Sequence, residues 1–306
     1  MKILITGGGG FQGSHLSQSL LEKGHEISVL NTHSETALRN ITNIANKINL
    51  IWGDINDAEL VKKSAAGQNV IFHLAGNINV DESLRDPLSY FNNNILGTYN
   101  ILEAVKANNS RLIFISTCEV YGDGHDREEK FITESTELRP KSPYAASKTA
   151  ADRMCYAYFS SYNVDVTIVR PFNIYGERQK SGQFGALIPI LVSRALKGEN
   201  LVVFGDGTAT RDYTHVSDIV RGYEMVLNNK SLTGKVVNFG SGESARIKDI
   251  AEYIAKKTNV KVVYGPPRPG EVTRLPADIS FAKSLGYAPR VNIWEGIDRY
   301  IEWAQN

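Results

Sequence analysis

Cysteine is nearly absent: Cys118 and Cys155 are the only two in 306 residues. One pair cannot form a disulfide framework, so a small secreted scaffold is excluded and a reducing, cytoplasmic compartment is expected. Excess charge of either sign is missing as well, with 34 Lys and Arg against 33 Asp and Glu and a formal net charge of +1. Surfaces that grip nucleic acid or anionic lipid need clustered positive charge, so neither is an expected partner. Long apolar runs are lacking too. The amino-terminal Ile3-Leu4-Ile5 is too short for a signal peptide. No later stretch approaches the ~20 residues that cross a bilayer. There is no repeat, low-complexity tract or charged tail. What remains is a globular chain, 42% hydrophobic, long enough for one large domain or two unequal ones.

Its first half alternates two periodicities. Short apolar runs occur at Ile3 to Ile5, Ile27 to Leu30, Leu50 to Trp52, Val70 to His73, Leu112 to Ser116 and Val166 to Val169. Most are continuous rather than alternating, as parallel strands buried on both faces require. Helical stretches separate them, among them Tyr90 to Lys106 and Tyr144 to Tyr162. Strand and helix in repeated alternation imply an α/β fold of Rossmann type, a doubly wound parallel sheet with right-handed crossovers. After Pro171 glycine and proline become frequent, and helices at about 186–197, 216–228, 246–257 and 293–304 are joined by short strands. The expected organisation is a dinucleotide-binding domain over 1–170, with about 212–242 returning to it. A smaller mixed α/β substrate region over 171–306 is expected above the carboxyl edge of the sheet.

Residues Thr6-Gly7-Gly8-Gly9-Gly10-Phe11-Gln12-Gly13 satisfy Gly-x-Gly-x-x-Gly through Gly8, Gly10 and Gly13. The motif follows a strand and opens an apolar-faced helix, the context in which it is informative. Glycine permits a tight turn, close backbone approach to a pyrophosphate, and tight helix–strand packing. The helix end then offers free amides and a positive dipole end. Gly7, Gly10, Phe11, Gln12 and Gly13 are the expected contacts. Enzymes that use NAD usually carry an acid about 20 residues further on; here Asn31 stands at the end of the second strand. Asn31 can still hydrogen-bond ribose hydroxyls but cannot repel a 2′-phosphate, and no arginine adjoins it. NAD is favoured over NADP.

The segment Tyr144-Ala145-Ala146-Ser147-Lys148 carries Tyr-x-x-x-Lys, two side chains on one helix face. A tyrosine with a pKa of ~10 is a poor base at neutral pH. An ammonium one turn away and a cationic nicotinamide ring would both stabilise its phenolate. Tyr253 and Lys257 match the same pattern, where only a solvated helix face is expected. For the first pair the context is supplied by Ser116-Thr117-Cys118-Glu119 at the carboxyl end of the fifth strand, where a doubly wound sheet binds ligand. A Thr117 hydroxyl there can hold a substrate oxygen beside Tyr144.

With these residues assembled, the chain resembles the extended short-chain dehydrogenase/reductases of the nucleotide-sugar epimerase and dehydratase family. Supporting segments include Gly53-Asp54-Ile55, His73-Leu74-Ala75-Gly76, Asn94-Ile95-Leu96-Gly97-Thr98, Arg170-Pro171-Phe172-Asn173, Tyr175-Gly176-Glu177-Arg178, Thr210-Arg211-Asp212-Tyr213 and Arg268-Pro269-Gly270-Glu271. The resemblance implies Asp54 and Ile55 flanking the adenine, and Leu74, Ala75 and Gly76 lining the middle of the cofactor. It further implies Asn94 beneath the cofactor, and Pro171, Tyr144 and Lys148 against it. Asn173 would contact a nucleotide diphosphate sugar, Arg211 and Arg268 its diphosphate and nucleoside, and Glu271 its ribose. Specificity would come from Gln179 to Leu187 and Pro266 to Arg274. A homodimer is implied, with Tyr156, Tyr158, Phe159 and Tyr162 serving either the core or that interface. The bland readings are His73 as a packing histidine rather than a metal ligand, Arg211 paired with Asp212 or another acid, and Cys155 as buried filler.

The family reactions share a start in which Tyr144 takes the sugar O4 proton and C4 is oxidised by NAD. Glu119 stands where the resemblance places the base of a 4,6-dehydratase, and this lyase reaction is the favoured reading. Cys118 stands where dehydratases often carry aspartate, and a thiol of pKa ~8.5 is a poor substitute for a carboxylic acid. The alternative is therefore a 4-epimerase, an isomerase resembling those acting on UDP-glucose. A third reading, a non-catalytic NAD-binding sensor, would have no use for Thr117, Tyr144 and Lys148.

Overall fold

The computed structural model describes residues 1–123, 130–181, 185–267 and 276–306. Six strands form at the expected apolar runs: β1 (Lys2–Thr6), β2 (Glu26–Asn31), β3 (Asn49–Trp52), β4 (Val70–His73), β5 (Arg111–Ile115) and β6 (Val166–Pro171). With Val236–Phe239 they make a seven-stranded sheet in the order Val236–Phe239, β6, β5, β4, β1, β2, β3. The strands from β1 to β6 pair in parallel. Every residue of β4, β5 and β6 is buried, which explains why their sequences run apolar without alternation. The order reverses between β1 and β4, and the carboxyl ends there are the ligand-binding crevice of such sheets.

Two compact units are present. The first comprises residues 1–120, 138–171 and 220–237, and the second 121–137, 172–219 and 238–306. The core of the first joins sheet residues such as Leu4, Ile71, Leu112 and Phe114 to helix residues Ile101, Val105, Ala151 and Cys155. Each of the Leu, Ile, Val and Phe side chains contributes on the order of 1.5–3 kcal/mol by burial. The second unit has its own core, including Ile188, Leu191, Leu201, Ile250, Ile254, Ile297 and Tyr300. Its helices Leu187–Leu196, Ile247–Thr258 and Ile293–Gln305 lie within a residue or two of the expected ranges. Among the described residues no helix is long and apolar enough to cross a membrane.

One expected element differs. The helix anticipated over Tyr90 to Lys106 begins as Pro87–Phe91, widens to a π turn over Asn92–Leu96, and resumes as Gly97–Asn108. A single inserted residue in the helical ladder leaves hydrophobic spacing almost unchanged, so periodicity does not reveal it. Such turns are frequent at functional sites, and this one carries Asn94.

Candidate active site

Gly7 takes φ +71°, and a Cβ there would meet the Ala75 backbone nitrogen at 2.9 Å. At Gly13 a Cβ would stand 2.2 Å from the Gly7 carbonyl oxygen. Both positions exclude any side chain. The helix that follows, Phe11–Glu22, starts at Gly10 with no side-chain cap and no acid in its first turn. Its first amides therefore point outward without an internal partner, under a positive dipole end. A crevice-facing cradle of bare amides fits a pyrophosphate. Of the remaining predicted contacts, Phe11 and Gln12 are half-buried in that first turn.

Asn31 has partners within the protein. Its Oδ1 accepts the Gly9 N–H at 3.1 Å, and its Nδ2 donates to the Thr32 carbonyl at 2.8 Å. Asn40, which the sequence reading missed, donates to the Gly9 carbonyl at 3.1 Å. The carboxamide of Asn31 thus braces the glycine loop. Asp54 is exposed and accepts the Asn56 N–H at 2.8 Å, while Ile55 is buried beneath Gly97. Leu74, Ala75 and Gly76 follow β4, with the Ala75 N–H donating to Thr6 Oγ1 at 3.2 Å.

Asn94 is almost wholly buried and works as a clamp. Its Oδ1 accepts the Asn77 N–H at 2.8 Å, and its Nδ2 donates to the Asn77 carbonyl at 3.0 Å and to Ser147 Oγ at 2.9 Å. This ties the loop after β4 to the helix Pro143–Tyr162 that carries Tyr144 and Lys148. Ser147 itself donates to the Tyr144 carbonyl at 2.7 Å, a link that its place inside the Tyr-x-x-x-Lys segment could have suggested.

Tyr144 is buried, hydrogen-bonded to Thr117, and within electrostatic reach of Glu119, Cys118 and Tyr90. Thr117, Cys118, Glu119 and Tyr144 are thereby brought together, Cys118 and Glu119 lying in the short turn Cys118–Tyr121. Burial raises the Tyr144 phenol above its ordinary value, the carboxylate of Glu119 adds to this, and the Thr117 hydrogen bond opposes it. Lys148 lies one turn beyond Tyr144 on the same helix. Its ammonium donates to the Ile115 carbonyl at 2.7 Å and sits 4.3 Å from the centre of the Phe114 ring. Burial pushes its pKa down to about 8. Tyr90 was not anticipated; its ring stands edge-on to Tyr144 at 6.4 Å, and its hydroxyl donates to Glu82 Oε2 at 3.2 Å.

The other residues sort plainly. His73 bonds Thr6 Oγ1 at 2.7 Å and Thr98 Oγ1 at 3.0 Å, so both ring nitrogens are committed to packing. Cys155 is fully buried and burial raises its thiol pKa. Tyr253 and Lys257 both donate to Asp298 Oδ2 at 2.9 Å, and Tyr253 packs on Trp294. That decoy pair is an anchor between two helices rather than a merely solvated face. Tyr158 is core, whereas Tyr156 and Tyr162 are exposed.

In the second unit Asn173 Nδ2 donates to the Asp212 carbonyl at 3.0 Å. Arg211 does not pair with Asp212; it donates to the Thr210 carbonyl at 2.7 Å. The Asp212 carboxylate instead accepts the N–H groups of Ser241, Gly242 and Ala277 at 2.8, 3.0 and 3.0 Å. Arg268 and Glu271 lie outside the described residues.

A reversed-order parallel sheet, a bare-amide glycine cradle and a half-buried Thr117 beside buried Tyr144 and Lys148 define a dinucleotide-dependent enzyme class, the short-chain dehydrogenases/reductases. The chain belongs to the extended branch of that class, the nucleotide-sugar epimerase and dehydratase family. Residues 4–300 match the family model described as GDP-mannose 4,6 dehydratase. A dTDP-glucose 4,6-dehydratase of Streptomyces niveus is 33% identical, over 99% of this chain and 92% of its own. A UDP-N-acetyl-alpha-D-glucosaminuronate decarboxylase of Bacillus cytotoxicus is 31% identical, over 99% and 97%. A solved UDP-glucuronic acid 4-epimerase of Bacillus cereus, in complex with UDP-glucuronic acid and NAD, superposes with a TM-score of 0.92 at 31% identity, over 100% and 99%.

Proposed function

We propose that this chain is an NAD-dependent nucleotide-sugar 4,6-dehydratase. Enzymatic modification of nucleotide sugars with NAD is common ground with its relatives, whose reactions nonetheless differ at nearly equal identity. The reaction must therefore be argued from residues. The observation that carries the reading is Glu119, whose carboxylate lies close enough to Tyr144 to perturb the phenol.

The glycine cradle, Asn94 and the loop after β4 would hold the cofactor, which supplies hydride acceptance and return at the sugar carbons. Tyr144 takes the proton from the sugar O4 hydroxyl, with Thr117 holding that oxygen by its own hydroxyl. Lys148 adds positive charge on the same helix face, favouring the phenolate. Glu119 then removes the C5 proton, made acidic by the adjacent C4 carbonyl, while the C6 hydroxyl takes a proton from Cys118 and leaves as water. Glu119 returns its proton to C5, and C6 would receive the hydride that the cofactor holds. Asn173 and Arg211 receive the nucleotide part, a guanidinium fork suiting a diphosphate. Exposed Tyr99, Tyr156 and Tyr162 suit the helical face of a homodimer.

A second reading is favoured by Cys118. A buried thiol is a weak proton donor to the C6 oxygen, and without that proton the 4-keto sugar is more readily reduced on its other face, giving 4-epimerisation. Incubation with UDP-glucose, dTDP-glucose, GDP-mannose and UDP-N-acetylglucosamine, followed by NMR, tests both. A 4-keto-6-deoxy sugar is expected. A C4 epimer as the sole product would overturn the dehydratase reading.

A further inference from the structure

Gln12 is joined to a residue far away in the chain. The Tyr223 hydroxyl donates to Gln12 Oε1 at 2.6 Å, and Tyr223 is wholly buried. The Tyr223 ring packs 6.5 Å from that of Phe72 on β4. Its helix, Val216–Leu227, is fastened at two points in the turn that follows. Ser19 Oγ donates to Glu224 Oε1 at 2.5 Å, and Arg111 Nη1 on β5 donates to the Leu227 carbonyl at 3.1 Å. The Tyr223 hydroxyl is thus a fixed point, and it fixes one end of the Gln12 carboxamide.

The other end is available. Gln12 Nε2 makes no hydrogen bond among the described residues and is not among the buried unpartnered atoms. It stands in the first turn of the helix whose amides form the phosphate cradle. Its direction follows from its anchor: β4 and β5 lie on the side of β1 opposite β2 and β3. Asn31, Asp54 and Ile55 mark the β2–β3 side for the adenine half of a dinucleotide. Gln12 leans the other way, toward the strand that leads to Thr117.

We propose that Tyr223 is a positioning residue for the cofactor, acting through Gln12, whose Nε2 donates to an oxygen of the nicotinamide half of the dinucleotide. This rests on the dinucleotide reading of the site and adds to it a side-chain donor held in place before the ligand arrives. An unanchored glutamine would have to give up several rotamers on binding; the Tyr223 hydrogen bond removes most of that loss beforehand.

Isothermal titration of NAD⁺ and of ADP into wild type, Tyr223→Phe, Gln12→Leu and the double variant tests the proposal without any turnover. Tyr223→Phe should weaken NAD⁺ about fivefold or more, as expected for one freed side chain, and leave ADP within about twofold. The double variant should bind NAD⁺ no worse than Gln12→Leu alone, because one substitution acts through the other. Unchanged NAD⁺ affinity in Tyr223→Phe, equal weakening of ADP, or effects that multiply in the double variant would each overturn it. If Tyr223→Phe fails to fold, Gln12→Leu carries the test by the same selectivity for NAD⁺ over ADP. A wild-type protein that binds neither nucleotide would refute the cofactor reading itself, whereas normal wild-type binding with an unaffected Tyr223→Phe refutes only the pair.

Discussion

Arg170 grips Asp152 at two points, Nε to Oδ2 and Nη2 to Oδ1, both at 2.8 Å, with both side chains essentially out of water. Asp152 lies one turn beyond Lys148 on the same helix, and Arg170 immediately precedes Pro171 on β6. The pair therefore fastens the helix bearing Tyr144 to the sheet. Replacing Asp152 by Asn leaves a buried guanidinium poorly compensated, which should lower stability by about 3–5 kcal/mol in urea unfolding. Burial alone would raise the Asp152 carboxyl, but the Arg170 fork, aided by Arg153, holds it below its ordinary value. Its contribution is thus complete above the ordinary carboxylate range and disappears as pH falls through the lowered value. The gap between wild type and Asp152→Asn should close in acid. A constant gap down to unfolding would contradict the ion-pair account.

Burial sets Lys148 at about 8, with Cys155 and Asp152 pulling its pKa upward. If the ammonium supports the Tyr144 phenolate, kcat/KM should fall on the alkaline side with a midpoint near 8, since that ratio reports the free enzyme. Asp152→Asn should move this limb to lower pH in whatever fraction of the protein remains folded. A profile flat through that region would detach Lys148 from catalysis.

Among the described residues, the hydrogen bond from Thr117 acts to lower the buried Tyr144 phenol. Thr117→Val should reduce kcat by about 10- to 100-fold, the worth of a hydrogen bond to a charged group, while Thr117→Ser restores most of it. Tyr144→Phe should abolish turnover. Stopped kinetics with saturating substrate would measure all three, and a fully active Thr117→Val would remove the hydroxyl from the mechanism.

The sheet was legible because buried parallel strands are written as continuous apolar runs, and the cradle because steric exclusion at Gly7 and Gly13 leaves one residue type possible. Thr117, Glu119 and Tyr144 were legible as a resemblance, and their convergence follows from the strand end and helix start that carry them. The π turn at Asn92–Leu96 was not legible, since one added residue hardly disturbs a 3.6-residue pattern. Nor were the partners of polar side chains. Asn31, expected to face a ribose, also braces Gly9, and that bond was not foreseen. Lys148 shares the helix face of Tyr144, and its hydrogen bond to the Ile115 carbonyl was not foreseen. Arg211 and Asp212 are adjacent in sequence yet face different partners, because successive residues of an extended segment point to opposite sides. Long-range pairs such as Gln12 with Tyr223 leave no local pattern at all.

His73 gives a stability prediction with a definite sign. Burial, and then the nearby Lys148, lower its pKa to about 3 from an ordinary 6.5. Between those values the unfolded chain binds a proton that the folded chain refuses, so stability falls as pH falls, by about 1.4 kcal/mol per pH unit. His73→Gln should be less stable at neutral pH, losing some of the bonds to Thr6 and Thr98, but its stability should vary less across that window. Equal slopes for the two proteins in thermal unfolding would show that His73 protonates freely in the fold.

Glu119 and Cys118 should divide the reaction between them. Loss of the C6 hydroxyl requires a base for the C5 proton and an acid for the departing oxygen, whereas 4-epimerisation requires neither. Glu119→Gln keeps the volume and one acceptor oxygen but removes the basic site. In deuterated water it should abolish deuterium entry at C5 and lower 4-keto-6-deoxy product by at least about 100-fold, the usual contribution of a positioned general base. Oxidation at C4, followed as build-up of reduced cofactor, should survive, since it depends on Tyr144. Cys118→Asp works in the opposite direction. An acid in place of the buried thiol should accelerate dehydration and shift any residual C4 epimer toward the deoxy product. Should Cys118→Asp leave product partition untouched while Glu119→Gln retains C5 exchange, both residues would be bystanders and another group would be the C5 base. Absence of C5 exchange in the wild type itself would give the epimerase reading precedence.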